Sequence, residues 1–222
     1  MFHLGSIRDT SLDVDLSFLI LCVFFVAMNY DASLGIQYAL IWIPVVFVSV
    51  LVHELAHAAM IGLLGFGASQ IVLGGMGGVT MNRRRARPWQ DLLISLAGPV
   101  SSFVMMALAL YAWNHSAAVH RDAMLNALVP RMYGANLFWG MFNLIPLAPL
   151  DGGHASRDFF RMFLNERLSF VIATWFGLVV GVGVVVWGLV TRDVFIALFV
   201  GWLVYASFER WQYFRKHGIP GD

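Results

Sequence analysis

Apolar residues run along this chain in long blocks, and polar residues gather in the short intervals between them. Charged side chains bound the blocks. Between Asp15 and Asp31 lie the fifteen uncharged residues 16–30. Between Asp31 and Arg83 the only Asp, Glu, Lys or Arg is Glu54, and Arg167 and Arg192 enclose a further uncharged run. A helix needs about 20 apolar residues to cross roughly 30 Å of hydrocarbon. On that measure the pattern predicts six crossing helices: the short run 16–30, then about 33–64, 92–113, 132–150, 168–191 and 194–211. The expected fold is an all-α polytopic membrane protein of about six transmembrane helices, because a helix satisfies every backbone group internally in lipid. After the second span, residues 70–80 read Gln-Ile-Val-Leu-Gly-Gly-Met-Gly-Gly-Val-Thr. These short β-type runs interrupted by glycine predict a β-type or re-entrant segment. The start, Met1 to Asp15, is mixed polar and shows no cleavable signal peptide.

Composition supports the same solvent. The 222 residues are 59% apolar and 12% charged, whereas soluble domains are about 45–50% apolar and about 25% charged. One core of this size cannot hide so much apolar surface, so lipid is the natural medium. The net charge of +1 says nothing about partners; the lipid bilayer is an expected one, with no nucleic acid. The placement of the charges is more informative. With the amino terminus inside, the outer segments hold only Arg121, Arg131 and Arg192 of the 14 basic residues. That bias puts the Arg83–Arg87 loop on the cytoplasmic side, as an anchor at anionic headgroups. Cys22, the one cysteine, lies in an apolar run and reads as a packing residue. No internal repeat and no polar block large enough for a second domain is evident. The chain therefore reads as one integral-membrane domain over 1–222, with its core at about 36–160. A prokaryotic cell membrane is the expected location.

The second span contains His53-Glu54-Leu55-Ala56-His57, an HExxH sequence. On a helix, positions i and i+4 share a face, so both imidazoles can bind one metal ion. The glutamate beside them can hold and deprotonate a metal-bound water. A carboxylate inside a membrane span costs about 2.5–3.5 kcal/mol on the insertion scale, and a metal site is a specific reason to bear that cost. A catalytic site needs a third protein ligand and an open position. Asp151 is the candidate, in Asn143-Leu144-Ile145-Pro146-Leu147-Ala148-Pro149-Leu150-Asp151-Gly152-Gly153-His154. Pro146 and Pro149 should end or unwind the fourth span there, and Gly152-Gly153 permits unusual backbone angles. The second and fourth spans run in the same direction. This places His53, His57 and Asp151 at similar depth toward the cytoplasmic side.

These residues resemble the site-2 protease family of intramembrane zinc metalloproteases. The likeness rests on His53-Glu54-Leu55-Ala56-His57 and on Leu150-Asp151-Gly152 within the Asn-x-x-Pro-x-x-Pro-Leu-Asp-Gly-Gly stretch. Gly74-Gly75-Met76-Gly77-Gly78, the arginines at 83–87 and Ser95-Leu96-Ala97-Gly98-Pro99 look similar to the family's intervening segment. The resemblance implies zinc held by His53, His57 and Asp151, with Glu54 as general base. It also implies Asn143 near the metal, stabilising a tetrahedral oxyanion. The function it implies is hydrolysis of peptide bonds within or near transmembrane segments of substrate proteins, so a transmembrane protein substrate is the expected partner beside the bilayer. An exposed strand edge in residues 70–80 would then hold an unwound substrate. Two other readings use the same residues. A metal-ion transporter would line a path with them, but the outer halves of the spans are almost purely apolar. A non-catalytic metal-binding scaffold would hold a closed, four-ligand site, and three ligands with a base are found.

Overall fold

The computed structural model describes residues 1–7, 10–81 and 86–218. Arg8 and Arg83–Arg85, used above for orientation, lie outside the described residues. The polypeptide forms two compact units, one of residues 1–85 and 97–140, the other of residues 86–96 and 141–222.

Four helical segments are long and apolar enough to cross a membrane: Ile36–Leu63, Pro88–His115, Glu166–Val190 and Val194–His217. Their 24 to 28 residues extend about 36–42 Å at 1.5 Å per residue, more than the hydrocarbon thickness. The chain is a polytopic membrane protein. The six expected spans are four by this measure among the described residues. Helix α1 (Leu16–Met28) has only 13 residues and reaches about 20 Å. The second span is divided at Ile41 into α2 (Ile36–Leu40) and α3 (Trp42–Leu63). Then come α4 (Pro88–His115), the short α5 (Ala117–Arg121) and α6 (Ala123–Asn143).

The expected fourth span, 132–150, is drawn differently in the structure. Helix α6 starts at Ala123, because Arg131 does not break it: its Nη1 donates to the Ala127 carbonyl at 2.6 Å. It stops at Asn143, ahead of Pro146 and Pro149, and Asp151 opens a separate helix, α7 (Asp151–Arg161). Asp151 is therefore not at the end of a span. Gly152 and Gly153 are not at positive φ; they serve close approach. A Cβ on Gly152 would collide with the Leu144 and Ile145 carbonyls, and one on Gly153 with the Leu147–Ala148 backbone. Helices α8 (Glu166–Val190) and α9 (Val194–His217) complete the second unit. The Asp193 carboxylate caps α9 by accepting from the Ile196 amide at 3.1 Å.

The fold is not all-α. Four strands, β1 (Phe2–Ile7), β2 (Thr10–Val14), β3 (Ser69–Gly74) and β4 (Gly77–Met81), form one sheet in that order. The outer pairs are antiparallel and β2 runs parallel to β3. Alternation along β3 turns Ile71 and Leu73 inward, onto Phe18 and Cys22 of α1 and Val46, Val50 and Ala58 of α3. Cys22 is the packing residue its surroundings imply. The polar amino terminus is ordered by Asp13, which is buried in β2. It accepts from Gln70 Nε2 at 2.7 Å and from His3 Nδ1 at 2.8 Å. The Gln70 hydrogen bond, followed by that of His3, holds the Asp13 carboxyl below its ordinary value.

Candidate metal centre

Helix α3 carries its polar residues on one face. Ser49, His53 and His57 follow at intervals of four, and all three are buried, as is Glu54. One turn ahead of the histidines, the wholly buried Asn136 of α6 donates to Ser49 Oγ at 3.0 Å and to the Met132 carbonyl at 2.8 Å. The His53 and His57 rings stand 4.9 Å apart, inclined by 76°. Their Nε2 atoms converge on α4 at Gly98. A Cβ there would land 2.5 Å from His53 Nε2 and closer still to His57 Nε2. His53 Nδ1 lies 3.0 Å from Ser102 Oγ, one turn further along α4, in a buried hydrogen bond. With Nδ1–H donating to that hydroxyl, the Nε2 lone pair faces the convergence point.

Glu54 is held from the other side by the sheet. Thr80 Oγ1 in β4 donates to Glu54 Oε2 at 2.7 Å and approaches the Glu54 carbonyl at 3.2 Å. Gly78 lies so close that a Cβ would come 2.6 Å from Glu54 Oε1. A two-residue link, Gly75–Met76, joins β3 to β4. The Gly75 amide donates to Ser17 Oγ at 2.9 Å, and Gly77 takes φ 113. Strand β4 is an edge of the sheet, and Met76, Val79 and Met81 are exposed along it.

His53, Glu54 and His57 are thus brought together within the first unit. Asp151 and Asn143 belong to the second: Asp151 is the half-buried first residue of α7, and Asn143 the half-buried last residue of α6. Sequence reasoning did not find Thr80, Ser102 or Asn136. Thr80 closes the glycine-rich run and Gly98 sits in Ser-Leu-Ala-Gly-Pro, but nothing local to Ser102 or Asn136 marks them.

The arrangement fits a divalent metal ion. Two imidazoles present the same ring nitrogen to one point, at least one is oriented by a hydroxyl through its other nitrogen, and the wall behind them carries no side chain. That is the donor chemistry of first-row metal sites.

Fold and site together define a polytopic membrane protein with a metal-binding histidine pair and an adjacent carboxylate on a membrane helix. Residues 17–146 match the family model described as Peptidase M50B-like, and the chain belongs to that family. It is 31% identical over 168 residues to Rip3 of Mycobacterium tuberculosis, covering 72% of this chain and 42% of that protein. It is 28% identical over 211 residues to a zinc metalloprotease of Methanocaldococcus jannaschii, covering 94% of this chain and 59% of the other. The chain thus spans less than two thirds of these relatives. Among solved structures, the site-2 protease from Methanocaldococcus jannaschii superposes with a TM-score of 0.63 at 22% identity, over 100% of this chain and 96% of that one.

An alanine at Gly98 would put a methyl group where the two imidazole nitrogens converge. Gly98→Ala is expected to lose most of the bound metal while keeping its helix content, read by elemental analysis beside circular dichroism. Full metal occupancy in the folded variant would remove Gly98 from the site.

Proposed function

We propose that this chain is a zinc metalloendopeptidase of the site-2 protease type, hydrolysing peptide bonds within or near transmembrane segments of other proteins. The observation that carries the proposal is the convergence of His53 and His57 Nε2 beside a buried Glu54 that strand β4 holds in place. Family membership and the relative named as a zinc metalloprotease support the metal and the reaction class.

In this reading His53 and His57 bind zinc through Nε2, and Asp151 is the third ligand. Zinc supplies a Lewis acid that acidifies water and polarises the scissile carbonyl. Glu54 takes the proton of the attacking water and later returns it to the leaving amine. Thr80 fixes Oε2 of that carboxylate, so its orientation is set before substrate arrives. Asn143 donates a hydrogen bond to the developing oxyanion.

A substrate helix has its backbone bonded internally and must unwind to be cut. The free edge of β4 gives the extended chain a partner next to Glu54, by strand addition. The membrane arrangement we propose has six crossings, with α1 the short one and α6 long enough at about 32 Å. Its basic loops lie in the cytoplasm and the site faces that side of a prokaryotic cell membrane. The whole of 1–222 acts as one proteolytic domain.

Metal content separates this proposal from its failure without a known substrate. About one zinc per wild-type chain is expected, lost or much weakened in His57→Ala and in Asp151→Ala. Undiminished zinc in Asp151→Ala would exclude it as a ligand. Glu54→Gln should keep the metal and lose cleavage, and Asn143→Ala should keep the metal and lose about 10²–10³ in kcat. A Glu54→Gln protein that still cleaves would end the general-base assignment.

The sheet provides two further tests. The Cβ of Gly78→Ala would push the Glu54 carboxylate aside, so cleavage should fall at least about 10-fold while zinc stays; an unchanged rate would show that the β4 contact does not set the base. Proline cannot adopt the φ 113 of Gly77. Gly77→Pro should therefore remove the free edge and stop cleavage with zinc retained, and normal cleavage by it would dispose of strand addition.

A further inference from the structure

The second unit contains a cleft that this chemistry does not use. It opens between α7, α8 and α9 over the loop before Leu150, a shallow cleft whose cavity volume is about 30 Å³. Arg157, Arg210, Phe170, Thr174 and Ser207 are among the residues that line it. Among the described residues, Arg157 and Arg210 line it and no Asp or Glu does. The two guanidinium groups stand 5.9 Å and 5.8 Å from the centroid of the same ring, Phe170.

His154 lines the cleft too, and both hydroxyls there are already committed. Ser207 Oγ already donates to the Ala148 carbonyl at 3.0 Å, and Thr174 Oγ1 to the Phe170 carbonyl at 2.8 Å. Arg157 pairs through Nη2 with Glu166 Oε1, yet its buried Nε has no acceptor among the described residues. The acids nearby are engaged elsewhere: Arg161 takes Glu166 Oε2 at 2.6 Å and Asp158 Oδ1 at 2.9 Å. Arg210 has no carboxylate partner among the described residues. Two like charges share one aromatic platform, and the group that would relieve them is a compact oxyanion. The planar fork of a guanidinium matches phosphate oxygens.

Depth along the helices says where such an oxyanion would come from. Phe170 is one turn from the start of α8 at Glu166, about 6 Å, and Arg210 is about 10 Å from the end of α9 at His217. The same end carries aromatic and basic residues of an interfacial kind. Trp175 and Trp211 pack with ring centroids 5.3 Å apart, and the Arg215 guanidinium lies 4.9 Å from the Trp211 ring. A basic pocket between helices at headgroup depth suits an anionic lipid.

We propose that this cleft binds a phosphate group through Arg210 and Arg157, with the phosphodiester of an anionic phospholipid headgroup as the source its depth favours. The test uses the full chain, delipidated in detergent, titrated with short-chain phosphatidylglycerol, short-chain phosphatidylcholine or inorganic phosphate, and read by native mass spectrometry and thermal shift. Phosphatidylglycerol should bind the wild type about 10-fold tighter than Arg210→Gln, and tighter than phosphatidylcholine, with affinity falling as salt rises. Inorganic phosphate binding as tightly as the lipid, with the same dependence on Arg210, would support the site and identify a free anion as its ligand. Arg210→Lys, which keeps the charge but not the fork, should fall between the two proteins and serves if Arg210→Gln does not fold. Equal affinity of wild type and both variants for every probe would overturn the proposal.

Discussion

A carboxylate on a membrane helix has to be held by something, and here the holder is a strand. The hydrogen bond from Thr80 Oγ1 to Glu54 Oε2 joins β4 to α3, and much of the first unit follows from keeping that strand where it is. An isolated hairpin of β3 and β4 would be marginal. It gains β2 as a parallel neighbour and β1 beyond it. Its inner face is seated by Ile71 and Leu73 on α1 and α3. The turn is pinned by the Gly75 amide on Ser17, whose own hydroxyl and amide are bound by Asp15 at the start of α1. The chain from Asp13 to Ser17 thus supports a carboxylate that lies some forty residues further on.

The histidine pair has a matching support on the opposite side. Ser102 fixes one imidazole and Asn136 anchors the preceding turn of α3 through Ser49. Each is a short polar side chain among apolar helices that reaches across to α3, Ser102 to His53 and the Asn136 amide nitrogen to Ser49. Sheet and helices therefore fix the carboxylate and the imidazoles separately, from two directions.

What could be read from the sequence was what has a local signature. The interval between His53 and His57 states its own geometry, because a helix converts a spacing of four into a shared face. The long apolar runs likewise mark the second, third, fifth and sixth expected spans, now α2–α3, α4, α8 and α9, because length and apolarity are local. The amino-terminal half of the sheet, β1 and β2, had no such signal. Residues 10–14 pair with residues 69–73 across the whole of α1 to α3, and a polar strand such as Thr-Ser-Leu-Asp-Val shows its partner only when Asp13 meets Gln70. The fourth span was misdrawn because charge was used as its boundary, while Arg131 stays within α6 by bonding the carbonyl one turn back. Ser102 was invisible because a serine in an apolar helix looks the same whether or not an imidazole faces it.

The glycines make the same distinction more sharply. A glycine-rich run reads as flexibility or as a turn, and Gly77, at φ 113, is such a residue. Gly78 and Gly98 are not: neither lies at positive φ, and each sits in regular structure, one in β4 and the other in α4. They are glycine because of what lies opposite, Glu54 in one case and the two Nε2 atoms in the other. A side chain at either position would take space that the Glu54 carboxylate or the two imidazoles occupy. Backbone itself therefore walls the site on both flanks. On the β4 side that wall is an open strand edge, the one kind of surface whose unpaired amides and carbonyls match an unwound peptide chain.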